Sequence, residues 1–337
     1  MKSILDRLET ADRVIVNKPE IRLGIVKDEN PLSLSFYPYW PLFERFARNN
    51  NIHYTFINIH CSDWIDQCSG LDLIAWRPLS DPASLYEQRT KTEYIEKFLN
   101  IRCHPSFREL WTYEDKLRLY YHLGRYNLPI IPTFISFDEA ESNASLVKMD
   151  FPLVSKSYVG SSSMAVKLLK SRHEARRFIR SVFSVGLDTS FPYFRQKGYV
   201  YFQKFIPDAS FDLRIIMVGK KIFGYYRFTP KNDFRASGAG LVEKTGFPVE
   251  AVLLALKVKE VLPSTIIAVD LLKSESENKY YVIEASINID IETPMQLTVD
   301  GIPGYYEMHE GSLVFYPGKY WLQELTLEEM IVNNEHK

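Results

Sequence analysis

This 337-residue sequence has few cysteines and almost no net charge. Each of these observations argues against a class of protein. Cys61, Cys68 and Cys103 form an odd and sparse set, which argues against a disulfide framework and favours a reducing compartment. The spacing of Cys61 and Cys68 matches no standard zinc finger, so we interpret both as buried thiols. A formal net charge of −1 provides no global basic field, and we therefore expect no nucleic-acid partner.

Long apolar runs are also absent. Asp6, Glu9 and Asp12 lie in the N-terminal stretch where a signal peptide needs an apolar segment. No run approaches the roughly 20 apolar residues of a transmembrane helix. We therefore expect no membrane span and a cytoplasmic protein. The length allows two or three globular domains.

The first hundred residues alternate between strand and helix patterns. Five segments carry the alternation: strands at 21–26, 54–59 and 72–75, and helices at 37–48 and 85–99. We expect Tyr94, Ile95 and Phe98 to share the apolar face of the second helix. This order predicts a small α/β domain with parallel strands. Near residue 106 the pattern changes, and a further helix is predicted with Thr112 as its N-cap.

Residues 266–289 read as two apolar strands joined by a polar turn, with one carboxylate in each strand. Asp270 and Glu284 face each other if the hairpin is centred on Glu277. Like charges in opposite positions destabilise a sheet, and a buried carboxylate without a partner costs more. A cation between the two would remove both costs. Mg²⁺ suits such a pair and usually also binds substrate phosphates.

Small residues follow a lysine at the end of a second predicted strand. Lys156 ends the strand, and Gly160, Ser161, Ser162 and Ser163 form the loop after it. Backbone N–H groups and hydroxyls of such a loop can bind phosphate oxygens. A lysine that snorkels at a strand end and a plain surface turn are the alternatives. The segment lacks the GxxxxGK[ST] pattern and is not a P-loop.

Another strand end precedes Pro207. Its residues Gln203, Lys204, Phe205 and Ile206 could offer backbone N–H and C=O groups to the edge of an adenine. An ordinary strand end is the alternative interpretation.

Three arginines lie within 22 residues of one another: Arg214, Arg227 and Arg235. Guanidinium groups among apolar residues usually bind carboxylate or phosphate. An ion pair between Asp212 and Arg227 would account for one arginine and leaves the other two unexplained. The loop that contains Arg235 either closes over a ligand or is a surface connection.

Two of these arginines lie on a predicted hairpin. A two-residue turn that begins at Gly219 would join its strands, because glycine in the first position suits a type II′ turn. That register places Asp212 opposite Arg227 and Arg214 opposite Tyr225, all on one side of the sheet.

In this order, over about residues 106–296, the motifs resemble the ATP-grasp superfamily and, within it, the RimK-like carboxylate–amine ligases. The DFRASGAG sequence and the E-x-S variant are similar to a subgroup associated with cell-surface polysaccharide gene clusters. The resemblance implies an α/β (α+β) ATP-grasp fold behind a small N-terminal α/β domain. It implies domains at 1–105 for substrate, 106–198 for the nucleotide lid, and 199–337 for catalysis and the metal.

The resemblance also implies site residues. Its nucleotide-binding set is Lys116, Lys156, Gly160, Ser161, Ser162, Ser163, Gln203, Lys204, Phe205, Ile206 and Asp212. Arg214, Arg227 and Arg235 would contact an acyl phosphate or a substrate carboxylate. The metal ligands would be Asp270 and Glu284.

The sequence departs from the family pattern at the third metal ligand. Ser286 replaces the usual asparagine, and Asn288 or Asp290 would have to substitute for it. Lys204 also stands where an acidic residue is common in the family.

The implied reaction uses ATP and Mg²⁺, with Mn²⁺ as an alternative metal. A carboxylate is activated to an acyl phosphate, which an amine attacks to form an amide, with release of ADP and phosphate. The expected partners are small-molecule carboxylate and amine substrates, the acceptor being an amino acid, a peptide or an amino sugar. Relatives often form dimers or tetramers, so a homodimer is expected. A non-catalytic ATP-binding protein and an ATP-grasp kinase of a small-molecule hydroxyl are the alternatives.

Overall fold

A computed structural model describes most of the chain, in five ranges: 11–27, 38–160, 166–229, 241–289 and 297–332. Five of the predicted site residues lie outside these ranges, namely Ser161, Ser162, Ser163, Arg235 and Asp290. Within the described ranges, no helix is long and apolar enough to cross a membrane.

A parallel sheet forms the N-terminal part of the molecule. Its strands are β1 (Arg22–Val26), β2 (His53–Ile57), β3 (Leu73–Ala75) and β4 (Arg102–His104). They lie in the order β2-β1-β3-β4, and every pair is parallel. The helices between them are α1 (Trp40–Asn49), α2 (Trp64–Gln67) and α3 (Pro82–Tyr94), with a π-helical turn at Ile95–Leu99. The predicted small α/β domain with parallel strands is confirmed.

Two predictions about side chains in this region are wrong in part. Tyr94 and Phe98 lie side by side, with ring centroids 5.0 Å apart, and are 38% and 70% exposed, whereas Ile95 is fully buried. The predicted common face therefore holds for Tyr94 and Phe98 but not for Ile95, which begins the π-helical turn. Cys68 is a buried thiol as predicted, whereas Cys61 is exposed, in the connection between β2 and α2.

Two short helices lead into the central part of the chain: α4 (Phe107–Thr112) and α5 (Lys116–Arg125). Ser106 and Glu109 form a reciprocal capping box at the start of α4, and Asp115 caps α5 by accepting a bond from a backbone N–H. The predicted N-cap at Thr112 is therefore wrong, because Thr112 ends α4. The capping box stabilises an earlier helix start, and a bend at residues 113–115 then separates the two helices.

An antiparallel sheet follows. Its strands are β5 (Thr133–Ser136), β6 (Leu153–Lys156), β7 (Val166–Leu169) and β10 (Val200–Lys204), in the order β5-β10-β6-β7. The remaining elements are α6 (Glu139–Ser145), α7 (Arg172–Phe183) and the short pair β8 (Leu187–Asp188) and β9 (Arg195–Gln196). Phe178 and Ile179 of α7 pack with Phe202 and Leu153 of the sheet in one buried cluster.

The largest sheet has eight strands and carries the acidic hairpin. It contains β11 (Phe211–Val218), β12 (Lys221–Phe228), β13 (Val242–Glu243), β14 (Ile266–Ser274), β15 (Lys279–Ser286), β16 (Thr298–Val299), β17 (Ile302–His309) and β18 (Ser312–Pro317). The order is β15-β14-β11-β12-β17-β16, with β13 on β12 and β18 on β17. Helices α8 (Val249–Val261) and α9 (Leu322–Val332) complete the fold. One apolar cluster joins this sheet to the first domain, with Leu23 and Phe43 beside Val269.

The predicted hairpin of β11 and β12 is confirmed. Gly219 occupies the turn with φ +55°. The first position of a type II′ turn requires such a positive φ. Asp212 pairs with Arg227, and Arg214 pairs with Tyr225.

The acidic hairpin pairs Asp270 with Glu284 as predicted, although its turn is not centred on Glu277. Close to the turn, Leu271 pairs with Val282, and the register shifts before Asp270. Ile283 is therefore the extra residue of a β-bulge. Without the bulge, Asp270 would lie opposite Ile283 and the two carboxylates would not face each other.

Candidate active site

Asp270 is a buried carboxylate held by two arginines. Arg214, its neighbour on β11, donates from Nε to Oδ1 at 2.7 Å and from Nη2 to Oδ2 at 2.8 Å. Arg227 Nη2 lies 2.7 Å from Oδ2. Burial alone would raise the pKa of Asp270, but the two guanidinium groups hold it well below its usual range. The positive charge that this carboxylate requires is thus supplied by side chains of the sheet.

The second partner of Arg227 is Asp212, which faces it across the hairpin. Burial raises the pKa of Asp212 to about 6, and the charge of Asp270 adds to the increase while Arg227 opposes it. Asp212, Arg227, Asp270 and Arg214 therefore form an alternating row of buried charges on one face of the largest sheet.

Two lysines approach the other carboxylate of the hairpin. Lys116, the first residue of α5, lies with Nζ 3.6 Å from Glu284 Oε1 and donates to the Gly160 carbonyl at 2.8 Å. Lys156 ends β6, and burial together with the charge of Lys116 lowers its pKa to about 8, while Glu284 opposes that shift. Burial would also lower the pKa of Lys116, yet Glu284 and Glu114 raise it above its usual value.

These contacts bring together residues from three separate elements. Lys116 comes from the start of a helix, Lys156 from the end of a strand of the antiparallel sheet, and Glu284 from the bulged hairpin. The predicted placement of the two lysines at element ends is confirmed, and Gly160 lies beside them. An ammonium pair that is buried and incompletely neutralised is suited to bind a polyanion.

Glu114 also belongs to this site, although no motif in the sequence indicates it. Burial raises its pKa to about 7; Lys116 and the Gly160 N–H favour the charged form, whereas Glu284 opposes it. Its Oε2 is buried and makes no hydrogen bond with any described residue. The available signal was a glutamate two positions before a lysine at a helix start, which is too common to be diagnostic.

The predicted adenine segment makes contacts of its own. Gln203 donates from Nε2 to Thr133 Oγ1 at 3.1 Å, which ties β10 to β5. Lys204 Nζ lies 3.0 Å from Glu277 Oε1 in the turn of the acidic hairpin. Ile206 is buried and Phe205 is partly buried. The strand end thus connects the four-stranded antiparallel sheet with the hairpin.

Ser286 and Asn288 lie where the hairpin leaves the sheet. The Asn288 N–H donates to Ser286 Oγ at 3.2 Å. The Asn288 side chain instead turns to the N-terminal domain: Oδ1 accepts from Tyr39 Oη at 2.9 Å, and Nδ2 donates to Ser80 Oγ at 3.4 Å. Within the described part of the chain, no group of three or more His, Cys, Asp or Glu side chains is arranged to hold a metal.

Comparison with known families identifies the domain that carries this site. Residues 113–301 match the RimK-like ATP-grasp domain, a range that includes Lys116, Lys156, Asp270 and Glu284. The chain belongs to the RimK-like ATP-grasp family. The recognition made from the motifs, and the α/β ATP-grasp fold that it implied, are thereby confirmed.

Curated relatives of this RimK-like chain include ligases. It is 25% identical over 195 residues to an alpha-aminoadipate–LysW ligase, LysX, from Saccharolobus solfataricus, an alignment that covers 57% of the chain and 62% of the relative. The chain therefore spans less than two thirds of the length of that relative.

Solved structures share the fold at low identity. A RimK-domain ATP-grasp protein from Sphaerobacter thermophilus superposes with a TM-score of 0.55 at 15% identity, covering 80% of this chain and 92% of that one. A D-alanine–D-alanine ligase from Bacillus anthracis, complexed with ATP, gives a TM-score of 0.56 at 16% identity, with coverages of 82% and 90%. These likenesses establish the architecture.

Proposed function

We propose that this protein is an ATP-dependent carboxylate–amine ligase that forms an amide through an acyl phosphate and releases ADP and phosphate. The observation that carries the proposal is the convergence of Lys116 and Lys156 on Glu284, beside the buried Asp270, within the family-matched domain. A buried pair of ammonium groups next to paired carboxylates suits a nucleotide polyphosphate with its metal.

The nucleotide would lie between the lid sheet and the acidic hairpin. Lys116 and Lys156 would bind its phosphates, and Gly160 would begin the loop over them, with Ser161, Ser162 and Ser163 as further donors. The strand end from Gln203 to Ile206 would contact the adenine, and Asp212 would orient Arg227 beneath the phosphates.

The chemistry of the donor set fits a magnesium ion that arrives with the nucleotide. Mg²⁺ in such sites is held by one or two carboxylates together with substrate phosphates, and Asp270 and Glu284 provide two carboxylates in register. Ser286 and Asn288 are the nearest candidates for a further oxygen, and Mn²⁺ would suit the same donors. When bound, the ion would neutralise charge on the phosphates.

The arginines would stabilise negative charge on the phosphoryl group and on the substrate carboxylate. Arg214 uses Nε and Nη2 to hold Asp270, which leaves three of its five N–H donors outside that contact. We propose that Arg214, Arg227 and Arg235 stabilise the acyl phosphate or the substrate carboxylate, whose fixed geometry guanidinium groups match.

We further propose the substrates and their place. LysX is named for joining alpha-aminoadipate to LysW, and by analogy a small carboxylate and an amino acid, peptide or amino sugar would react here. The domain at 1–105 would contribute to substrate binding, the region 106–198 would form the lid, and 199–337 would hold the catalytic sheet. A cytoplasmic homodimer is the expected assembly.

ADP release with pairs of acids and amines tests the proposal. Glu284→Gln should lower turnover by at least about a hundredfold, because the ion that would neutralise the phosphates loses a carboxylate ligand. Asp270→Asn should do the same, provided that circular dichroism shows a folded protein. Asp188→Asn, which removes an 86% exposed carboxylate of the lid, is the control and should retain activity. Full turnover by Glu284→Gln would refute the metal assignment.

A non-catalytic ATP-binding protein is the second candidate, because the Asn288 amide is engaged by Tyr39 and Ser80. ATP binding without ADP release, under every pair of co-substrates, would support it. A phosphorylated product without an amide would instead indicate a kinase.

A further inference from the structure

Glu114 adopts a backbone conformation that glutamate rarely adopts. Its φ is +52°, in the left-handed region that strains any residue with a Cβ. Among the described residues, the other non-glycine positions with positive φ are five Asn or Asp residues and Glu310. Glu310 lies in the turn between β17 and β18, whereas Glu114 lies between two helices at the candidate site. Strained residues of this kind cluster where a ligand is bound.

The Glu114 carboxylate lies near two groups at the start of the predicted phosphate loop, the Gly160 N–H and Lys116. The N–H of Gly160 is directed at it and favours its charged form, as does the nearby Lys116. Lys116 Nζ at the same time donates to the Gly160 carbonyl at 2.8 Å. One carboxylate oxygen, Oε2, remains buried and makes no hydrogen bond with a described residue. The carboxylate is thus held in position and incompletely satisfied.

A backbone N–H at a glycine and a lysine ammonium are the groups that bind phosphate oxygens in nucleotide sites. Here both face a carboxylate of the protein itself. A carboxylate and a phosphate oxygen cannot share these donors, because both are anions and like charges repel at contact distance.

We propose that Glu114 is a placeholder anion, whose carboxylate takes the Gly160 N–H and faces Lys116 in the nucleotide-free protein and is displaced by a nucleotide phosphate. The inference rests on the proposed nucleotide role of Lys116 and Gly160. Glu114 thereby weakens the binding of phosphate-bearing ligands and, together with Glu284, offsets the charge of Lys116. It is a positioning residue that sets the affinity of the site.

Isothermal titration calorimetry of the full-length protein with Mg·ATP and with adenosine tests this role. Glu114→Gln should bind Mg·ATP about tenfold more tightly, the equivalent of one pKa unit of charge interaction. Adenosine should bind with unchanged affinity because it carries no phosphate. Glu114→Gly should show the same tightening, since glycine suits the positive φ and also lacks the carboxylate.

Matched controls are available at Glu310, which has φ +48° and is exposed far along the chain. Glu310→Gln and Glu310→Gly should leave both affinities unchanged. Equal or weaker Mg·ATP binding by both Glu114 variants would overturn the inference and assign Glu114 a purely structural role. Failure of the unaltered protein to bind Mg·ATP would instead overturn the proposed function, and this inference with it.

Discussion

The pKa of Lys156 is lower than that of an ordinary lysine. Burial and the neighbouring Lys116 lower its pKa to about 8, so in the nucleotide-free protein its ammonium is half deprotonated near that pH. The second pKa of a phosphate group is about 6, so its ionisation is nearly complete at about pH 8. Any change in nucleotide affinity above pH 8 should therefore arise from the protein, and Lys156 is the group placed to cause it.

We predict that affinity for Mg·ATP falls by about tenfold per pH unit above pH 8, because binding requires the charged ammonium. Lys156→Arg should flatten this dependence, since a guanidinium stays charged throughout the range. Dissociation constants measured from pH 7 to 9.5 check both statements. Lys204→Arg, at an exposed lysine paired with Glu277, should keep the unaltered slope. A flat profile in the unaltered protein would contradict the assignment.

The buried charges of the sheet show why single residues are ambiguous in a sequence. Arg214 and Arg227 are both bound to carboxylates in the structure, so an ion-pair network accounts for their burial. The predicted Asp212–Arg227 pair is confirmed. A role for these arginines toward substrate stays a prediction, which the remaining N–H donors of each guanidinium allow.

At the scale of elements, the close approach of β11 and β12 depends on Gly224. A Cβ built at this position would lie 2.5 Å from the Arg214 carbonyl oxygen and 2.9 Å from Phe247 Cε1. Neither neighbour is the end of a flexible side chain. A side chain at Gly224 would therefore separate the strand that presents Arg214 from its partner.

Gly224→Ala should lower the free energy of unfolding by about 1–3 kcal/mol through overpacking. Gly124→Ala is the matched control, because a Cβ there meets only Ile130 Cδ1 at 3.6 Å and the position is helical. That control should stabilise the protein by about 0.5–1 kcal/mol. Urea denaturation measures the free energy of unfolding of both variants. Equal values would show that the strands can separate without cost.

At the scale of the whole molecule, the N-terminal domain is tied to the terminal helix by a buried ion pair. Arg45 Nη1 of α1 lies 2.7 Å from Glu324 Oε2 of α9, and the two side chains are 7% and 0% exposed. Arg45 also donates from Nη2 to the Ala11 carbonyl at 2.8 Å. Contacts of this kind hold the parallel sheet against the largest sheet.

Arg45→Met should destabilise the protein by about 3–5 kcal/mol, because it removes the cation that is paired with the buried Glu324 carboxylate. Lys97→Met, which removes an exposed pair with Glu93, should cost less than about 1 kcal/mol. The double variant Arg45→Met with Glu324→Met should recover most of the loss. Chemical denaturation measures all three, and similar costs for Arg45→Met and Lys97→Met would contradict a coupling through this pair.

Features that depend on neighbours along the chain can be predicted from the amino-acid sequence alone. The turn at Gly219 sets the register that pairs Asp212 with Arg227, because a two-residue turn leaves one alignment of the strands. Lys156 at a strand end, Lys116 at a helix start and the order of the motifs identified the family, since each is a local pattern.

Features that depend on distant partners follow from the packing of the whole chain. The bulge at Ile283 aligns Asp270 with Glu284, and nothing in an apolar run of residues marks where an extra residue is accommodated. The Asn288 amide turns to Tyr39, 249 residues away in the chain, and Glu114 lies near Gly160 only because the connection after β6 packs on the start of α5. Such contacts follow from the packing of whole elements, and local sequence patterns do not predict them.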